Sequence, residues 1–575
     1  MAPTGYDSTM QRVLEIPEIV ELILRYLDPK DNINNACVCR RWSDIALDCV
    51  WRSVDDITQL LRLLAPLDAP LATPPLRYCT FTRILNAEDW RRFERYARRV
   101  RRLSYVRDPK DLMSPYLGAR VLDEIARSRT SINILPILTS LEWHSDETRH
   151  SVVFMSQSVR RFSVYLHKCT HYSLGDHFKD ISARMPSLTY LDFAFSFPVR
   201  TIEADLVTLI GELSHLKQLT LPSYCFTSKI VEALSVLPSL GTIQFEFNER
   251  QGRGDPADIA VFAPTLREGS FPALWDVNLS THLPDMTRFV SGPHAPSHLT
   301  SLYVHLPWVV PPSTITEYLT AVGENCKLLK MLYIDLFVPP PPEGVSSQPV
   351  YAEPLAWADL RPLLSCKRLR VFELSWASSI VMTQEDVEEI ASSWPSLQNF
   401  QLNCMPIPVP TNPLPAPTLS LHALLPFATH CPDLEELSLD VDATAAGLAF
   451  TAHDAPAPFR KLARLGFGLS PIAESGPVAL FLSQICPLGC EVRQGARVPD
   501  GFNVVFPDWT YELLELWAEV GRVLPLLVRL RMQERARRTE LEREVEDLRM
   551  RCRVLEERGT LPEGALNADG SCLVL

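Results

Sequence analysis

Apolar residues recur along the middle of the chain in a short phrase of the form apolar-x-x-apolar-x-apolar. The last two apolar residues of each phrase stand two apart and therefore point to the same face of a strand. The first apolar residue lies at the bend that enters this strand. The middle positions of the clear copies are Leu191, Leu219, Ile243, Val277, Leu302, Leu332, Phe372, Phe400, Leu437 and Leu465, and weaker copies precede them at Leu103, Leu141 and Phe162. The pattern predicts one short strand per copy.

Helical patterns fill the intervals between these strands, for example from Ile230 to Pro238 and from Gln384 to Pro395. One strand and one helix per unit, stacked in parallel, predict an α/β fold of the leucine-rich-repeat solenoid type. The spacing varies from 24 residues (Leu219 to Ile243) to 40 residues (Leu332 to Phe372), which is typical of degenerate repeats. A doubly wound α/β domain is the alternative, but its Gly-rich phosphate-binding motifs do not occur in the sequence.

Three short helical patterns precede the repeats, between Ile16 and Trp51. Pro17 suits the first turn of a helix, because its ring fixes φ and it has no N–H to leave unbonded. The apolar positions of the first pattern follow at helical spacing, at Ile16, Val20, Ile23 and Leu27. A unit of this size cannot bury a good core by itself. The pattern therefore predicts a docking module with an apolar face that a partner covers.

The segment resembles an F-box. The motifs that carry the resemblance are Ile16–Pro17, Leu27–Asp28–Pro29, Val38–Cys39–Arg40–Arg41–Trp42 and Trp51. Two departures are Ile16 in place of the family's leucine and the polar Asn32, Asn34 and Asn35 in the middle helix. The resemblance implies an adaptor-facing and supporting surface composed of Ile16, Pro17, Ile19, Ile23, Leu27, Val38, Trp42 and Trp51.

An F-box followed by degenerate leucine-rich repeats implies the substrate-recognition subunit of a Skp–cullin–F-box ubiquitin ligase. In that family the F-box docks the Skp adaptor, and through it a cullin, while the repeats bind a protein target, here unknown. Such a receptor is not an enzyme and needs no cofactor, since it acts by raising the effective concentration of the target. A repeat scaffold that is not coupled to a cullin remains the alternative, motivated by the three asparagines.

These patterns divide the chain into segments. The predicted order is a disordered N-terminus at 1–15, the F-box at 16–52, a helical linker at 53–99, the repeat solenoid at 100–490, a charged helix or short coiled coil at 509–557, and a flexible tail at 558–575. Proline-rich insertions near 338–356 and 405–418 favour extended conformations and predict surface loops on the solenoid.

The net charge of −13 conceals one basic segment. Between Trp90 and Arg107 eight arginines face the single Glu94, a local charge of +7, so the remainder carries −13 − 7 = −20. Arginines interleaved with aromatic residues are compatible with phosphate binding. The acidic remainder opposes a nucleic-acid track, so we expect no nucleic-acid partner. The segment instead predicts a solvated helix whose arginine stems cover apolar surface and link two domains.

The C-terminal helical pattern carries a heptad stripe at Leu541, Val545, Leu548, Cys552 and Leu555. About two heptads are present, and both a self-packing helix and a coiled-coil dimer remain open. Upstream apolar residues are expected to cap the solenoid: Leu513, Leu514, Leu516, Trp517 and Val520.

The final four residues match a C-a-a-X box, in which the last residue, Leu575, points to geranylgeranylation of Cys572. We therefore expect a protein of the cytoplasm or nucleus, with peripheral membrane association if Cys572 is prenylated. The first residues lack an apolar signal region, and the 14 cysteines form no disulfide framework. Neither nucleophile elbows nor zinc spacings occur, so the sequence predicts no catalytic residues and no metal ligands.

Overall fold

The structure is a computed structural model, which describes residues 14–68, 78–107, 116–145, 147–168, 173–337, 353–404, 417–444, 457–493 and 506–559. Most of the predicted N-terminal segment 1–15, most of the two proline-rich insertions and the tail with Cys572 lie outside these residues. The chain divides into two compact units. The first comprises residues 1–369, 374–378 and 497–505, and the second comprises 370–373, 379–496 and 506–575.

The first unit begins with three helices: α1 (Pro17–Arg25), α2 (Pro29–Asn35) and α3 (Arg40–Trp51). Its later helices are Ile57–Leu61, Ala87–Ala97, Ala119–Ser128, Leu174–Arg184, Glu203–Glu212, Ser228–Ser235, Leu283–Ser291, Pro312–Asn325 and Trp357–Leu360. Short 3-10 helices lie at Thr148–Val153, Val199–Thr201, Pro256–Ile259 and Arg361–Ser365.

Parallel strands form a continuous ladder through the first unit. In spatial order they are Ser53–Val54, Arg102–Val106, Ser140–His144, Arg161–Tyr165, Tyr190–Ala194, Gln218–Pro222, Thr242–Glu246, Asp276–Ser280, Ser301–His305 and Met331–Asp335. Each strand lies beside its predecessor in this order, without the reversal that a doubly wound sheet requires. The ladder is that of a solenoid, as the repeat pattern predicted. Smaller strands of the first unit are Leu67–Asp68, Tyr78–Phe81, Tyr116–Leu117 and Leu355–Ala356.

The repeated apolar phrase is the core of this ladder. Leu191, Leu219 and Leu302 are fully buried, as are the residues at the bends before them, such as Leu188 and Leu216. Alternation along each strand sends these side chains to one face and the intervening polar side chains to the other. The weaker copies obey the same rule, since Leu103, Leu141 and Phe162 are also buried.

Backbone hydrogen bonds tie each repeat to the next in a constant way. The carbonyl of Thr189 accepts hydrogen bonds from the amides of Lys217 and Gln218, at 2.8 and 3.1 Å. The same double acceptance recurs from repeat to repeat, at the carbonyls of Arg52, Arg101, Thr139, Arg160, Lys217, Gly241, Trp275 and Thr300. Because Arg52 directly follows α3, the first rung of the ladder begins at the end of that helix.

The segment 53–99, which we predicted to be a helical linker, is only partly helical. It contains helices Ile57–Leu61 and Ala87–Ala97 but also the strand Ser53–Val54, which pairs in parallel with Arg102 and Leu103. The pairing of Ser53 was not evident from the sequence, because two residues are too few to show an alternating pattern. The repeat ladder therefore starts at Ser53 and not at residue 100.

The second unit has the same architecture. Its strands Asn399–Leu402, Glu436–Leu439, Arg464–Gly466 and Glu491–Arg493 pair in parallel and in sequence order. Its other strand is Ile380–Val381, its helices are Gln384–Ser393, Leu424–His430, Ser475–Ile485 and Asp508–Gly559, and a 3-10 helix lies at Leu421–Ala423. The strand Val371–Ser375 spans the division of the chain into units.

The first half of the helix Asp508–Gly559 packs on the last repeats of the second unit. The Trp517 ring stacks on Phe467 with ring centroids 4.3 Å apart, and its Nε1 donates to the carbonyl of Ser470 at 2.9 Å. Trp517, Val520, Leu524 and Val528 are buried, at spacings of three and four along the helix. These residues close the apolar end of the repeats, the position at which a solenoid needs a cap.

Candidate partner-docking surfaces

The three N-terminal helices bury a very small core. Val20 and Leu24 of α1 pack with Ala46 of α3, and Trp42 and Ile45 lie partly buried against them. The α1 side chains between Val20 and Leu24, and those that follow Leu24, point away from this core. The core is small because each helix has about three turns or fewer and one layer of apolar contacts.

Helix α1 is apolar over more than half of its circumference, yet only the Val20–Leu24 side is covered. At 100° per residue, Ile19 and Ile23 lie on a neighbouring side of the helix, and Ile16 and Leu27 flank its two ends. We call these four residues the α1 outward face. Ile23 is 44% exposed and Leu27 is 39% exposed. Leu22 and Tyr26 extend the apolar surface further around the helix and are still more exposed. This contiguous exposed apolar surface is a candidate protein interaction site.

The eight residues predicted for the adaptor surface occupy different environments. Ile16, Pro17, Ile23, Leu27 and Val38 are exposed, and Ile19 is half-buried. The two tryptophans differ from these. Trp42 packs against the small core, and Trp51 packs on Tyr96 of the helix Ala87–Ala97 with ring centroids 5.2 Å apart. Trp51 thus contacts the solenoid side of the first unit, whereas Leu22, Tyr26 and Ile33 are exposed apolar residues that the motif comparison missed.

Asn32 has a structural role that its sequence position did not indicate. Its side chain is buried, and Nδ2 donates to the carbonyl of Leu24 at 2.8 Å. That carbonyl belongs to the last turn of α1, where the helix itself does not supply an amide donor for every carbonyl group. Asn32 therefore ties α2 to the end of α1. Asn34, in contrast, is exposed, and Asn35 is half-buried.

Arg99 holds the three-helix module against the solenoid. Its guanidinium donates to the carbonyl of Asp44 at 2.8 Å and to the carboxylate of Asp44 at 2.9 Å, and it also pairs with Asp48. Both aspartates lie on α3, so one side chain contacts two turns of that helix. A planar guanidinium suits such multiple contacts better than an ammonium group.

The rest of the arginine-rich segment is built around a buried aromatic stripe. Trp90 and Phe93 are buried, with ring centroids 5.5 Å apart. Arg92 donates to the carbonyls of Leu63 and Leu64 at 3.0 and 3.2 Å. The arginines of this segment therefore include side chains that form hydrogen bonds within the first unit, as the prediction of a linking helix requires.

An ion pair between the buried Asp89 and the partly exposed Arg83 fixes the start of that helix. The Arg83 guanidinium donates to both carboxylate oxygens of Asp89, at 2.6 and 2.7 Å, and lowers the pKa of Asp89 to about 2. Asp89 also accepts from the amide of Asn86 at 3.0 Å, while Asn86 caps the helix in return. This reciprocal arrangement is a capping box, which satisfies amides at the helix N-terminus.

The strand face of the first unit carries hydrogen-bonded polar side chains. Ser163 bridges neighbouring strands, since its hydroxyl lies 2.9 Å from Nε2 of His144 and donates to Asp192 at 2.7 Å. Gln251 donates to the other oxygen of Asp192 at 2.9 Å. Burial raises the pKa of Glu246, and the nearby negative charge of Asp192 raises it further. We call the surface formed by these outward strand positions the strand face.

A buried network of hydrogen-bonded polar side chains lies at one edge of the strand face. The Tyr224 hydroxyl lies 2.9 Å from Nε2 of His305, and Nδ1 of His305 lies 2.5 Å from Asp335. Tyr303 also bonds to Asp335. Both His305 nitrogens are engaged, and burial raises the pKa of Tyr224 above its usual range. Tyr224, His305 and Asp335 therefore form a satisfied hydrogen-bond network.

The described part of the chain holds no group of three His, Cys, Asp or Glu side chains suited to a metal ion. Burial raises the pKa of Cys326 and Cys431 to about 12, so that neither thiol ionises at neutral pH. Among the described helices, none combines the length and the hydropathy needed to cross a bilayer.

The comparison with family models matches residues 17–56 to the F-box-like family. The chain therefore carries an F-box-like domain, which comprises α1, α2 and α3 together with the first strand of the ladder, as the sequence motifs predicted. No curated protein matches the chain.

Solved structures that resemble the chain include leucine-rich-repeat proteins. One is LegL7 from Legionella pneumophila, at 13% identity and a TM-score of 0.27, with 52% of this chain and 81% of that chain covered. Another is the ectodomain of the receptor kinase GASSHO1/SCHENGEN3 from Arabidopsis thaliana, at 10% identity and a TM-score of 0.25. That match covers 68% of this chain and 44% of the Arabidopsis chain.

The parallel ladder, the buried apolar phrase and the F-box-like domain together define a class of protein. An F-box-like domain joined to leucine-rich repeats is a protein-interaction adaptor, because both modules work by binding other proteins. Neither module generally carries catalytic chemistry. F-box domains generally bind Skp-type adaptors.

Proposed function

We propose that this chain is the substrate-recognition subunit of a Skp–cullin–F-box ubiquitin ligase. The observation that carries the proposal is the α1 outward face, an apolar helix side that the F-box-like domain exposes and does not use for its own core. A Skp-type adaptor would cover Ile23 and Leu27 and recruit a cullin. The repeats would hold a protein target within reach of the ubiquitin-conjugating enzyme.

The attachment of α3 supports this role. Arg99 and the Arg52 carbonyl join the F-box-like domain to the first repeats through several bonds. An adaptor that binds α1 would therefore be held at a defined distance from the repeats of the first unit. A receptor needs such a geometry, because target lysines must meet the conjugating enzyme repeatedly.

Asn32 no longer motivates the alternative of a scaffold without a cullin. Its polar side chain bonds inside the domain and ties α2 to α1. A polar residue in this position is therefore compatible with an intact docking module, and the exposed Asn34 is the residue left to alter a partner contact.

The decisive experiment is capture of a purified Skp adaptor by the full chain. Ile23→Glu and Leu27→Glu place charge on the exposed face, where the fold tolerates it, and each should weaken adaptor binding by at least tenfold, since interface anchors contribute about 2 kcal/mol or more. Val236→Glu is the matched control, because Val236 is an equally apolar residue of the solenoid and is 68% exposed. Adaptor binding that is absent in the unmodified chain, or equal in all three variants, would overturn the proposal.

A second measurement separates the ligase receptor from the scaffold. The chain, adaptor and cullin are reconstituted with a conjugating enzyme, and ubiquitin transfer to captured proteins is followed. Transfer that requires both the cullin and Ile23 supports the receptor. Adaptor binding without any cullin-dependent transfer would instead identify a scaffold.

The strand face of the first unit is the proposed target-binding surface. Its outward acidic side chains Asp192 and Glu246 favour a target segment rich in lysine or arginine. Glu246→Lys should reduce target capture in proximity labelling and lower its salt sensitivity. Glu268→Lys, in an exposed loop away from the strands, is the matched control. Equal capture by both variants would exclude the strand face near Glu246.

A further inference from the structure

The second half of the helix Asp508–Gly559 lies free of the unit to which it belongs. Every side chain from residue 532 to residue 555 is exposed, a stretch of about 36 Å at 1.5 Å per residue. In proteins most helical stability comes from packing of an amphipathic face against another element. An apolar stripe on such a helix is therefore expected to be covered by something outside the second unit.

The stripe is continuous and narrow. Leu541, Leu548 and Leu555 recur every seven residues, and Val545 and Cys552 occupy the positions between them. The three leucines are 52%, 52% and 65% exposed, and Val545 is 45% exposed. This is the seam of a coiled coil, with leucine at d and valine and cysteine at a. Arg538 at the preceding a position pairs with Glu542 at 2.9 Å and ends the apolar stripe on that side.

We infer that a second copy of this chain covers the stripe and forms a parallel two-stranded coiled coil. The branched Val545 at an a position with leucine at d favours two parallel strands. The flanking charges complement themselves across the two-fold axis. Arg537 at g would face Glu542 at e of the second copy, and Glu544 at g would face Arg549 at e. Each of these pairs occurs twice, and all of them are attractive.

A parallel pairing in register makes a prediction that an antiparallel pairing does not share. Cys552 lies at an a position, so the two copies of Cys552 would meet in one layer of the seam. In an antiparallel pairing centred on this stripe, Cys552 would instead lie opposite Leu541. The two thiols are exposed in the single chain and free of disulfides. A disulfide bond between the two Cys552 residues would therefore indicate that the two helices run in the same direction.

Dimerisation is measured by sedimentation velocity of the full chain under reducing conditions, over a wide range of concentration. We expect a concentration-dependent dimer. Leu548→Lys, in the seam, should weaken it by at least about tenfold. Met550→Lys, at the f position on the opposite side of the same helix and 60% exposed, is the matched control and should leave it unchanged.

Charge reversal tests the flanking pairs. Glu544→Arg should weaken the dimer because it opposes Arg549 of the second copy. The double variant Glu544→Arg with Arg549→Glu should restore it, because the exchanged pair is attractive again. A chain that stays monomeric at all concentrations, or a dimer that Leu548→Lys leaves intact, would overturn the inference.

Diamide oxidation then determines the direction of the strands. Two Cys552 thiols would lose two protons and two electrons to diamide, which becomes the hydrazine, and one S–S bond would join the chains. Peptide mass analysis should find the Cys552–Cys552 link, which Cys552→Ser removes while the dimer persists. A dimer that depends on Leu548 but never yields this link would overturn the parallel arrangement. None of these outcomes depends on adaptor binding.

Discussion

Arg99 and Asp44 are joined by two hydrogen bonds, one to the carbonyl and one to the carboxylate of the aspartate, at 2.8 and 2.9 Å. The two residues lie 55 positions apart in the sequence. Arg99 lies in the turn that follows the helix Ala87–Ala97, and Asp44 lies on α3 of the F-box-like domain. This contact therefore joins the F-box-like domain to the segment that leads into the strand Arg102–Val106.

Substitution Arg99→Ala should loosen this connection without unfolding the solenoid. We expect a loss of about 1 kcal/mol in the free energy of unfolding, because the aspartate partners are well exposed and ion pairs at such sites contribute little. Hydrogen exchange of the α3 amides should accelerate while the exchange of the strands stays unchanged. Arg98→Ala is the control, since Arg98 is exposed and neighbours Arg99. Equal exchange in the two variants would contradict the role of Arg99.

Substitution Asn32→Ala removes one of the two hydrogen bonds that the Leu24 carbonyl accepts, while the bond from the Leu27 amide at 3.2 Å remains. We expect a loss of about 1 kcal/mol in the stability of the three-helix module, the usual net contribution of one hydrogen bond. Asn34→Ala, in the same helix but exposed, should change stability by less than about 0.5 kcal/mol. Native-state hydrogen exchange of the amides of α1, α2 and α3 checks both values. A larger effect at Asn34 than at Asn32 would show that the hydrogen bond is not what holds α2.

Tyr224→Phe deletes the hydroxyl that lies against His305 at the end of the buried polar chain. The imidazole nitrogen would then be buried without this partner, so we expect the first unit to lose about 1–3 kcal/mol. Tyr26→Phe is the control, because Tyr26 is 86% exposed. Thermal unfolding of the two variants is the measurement. An unchanged midpoint for Tyr224→Phe would mean that the network contributes nothing to stability.

Burial lowers the pKa of His177 from 6.5 to about 4. The unfolded chain therefore binds a proton at this site between those two values where the folded chain does not. The free energy of unfolding should fall as the pH falls from 6.5 to 4, by up to about 3 kcal/mol, and this site adds no further loss below pH 4. His177→Phe should flatten the profile in that window relative to the unmodified chain. His215→Phe, at an exposed histidine, should keep the original slope.

The solenoid could be predicted in detail because its core is local. Each strand needs only two apolar residues two positions apart, and Leu191 and Phe193 show this directly in the sequence. The buried ladder of the first unit follows these pairs strand by strand. The strand Ser53–Val54 is not predicted from the sequence, because its pairing with Arg102 is a contact between residues far apart in the chain. A segment this short shows no alternating pattern of its own.

The docking surface could be predicted only in part. Helical spacing assigns Ile16, Ile23 and Leu27 to one side of α1, but it does not say which side the other helices cover. The side of α1 that is covered depends on the position of Ala46 in α3, against which Val20 and Leu24 are buried. Trp51 illustrates the same limit, since its partner Tyr96 lies in a different element of the chain.

The carbonyl of Arg52 accepts the amides of Arg101 and Arg102, and so a residue of the F-box-like domain forms the first rung of the ladder. Removal of the domain would remove this rung and leave the edge of the strand Arg102–Val106 unpaired. An open edge of this kind invites pairing with other chains. A truncated protein that traps many partners would then report a damaged sheet rather than a set of targets. Point substitutions on α1 are the better test of docking, because they change the exposed apolar face and leave the strands paired.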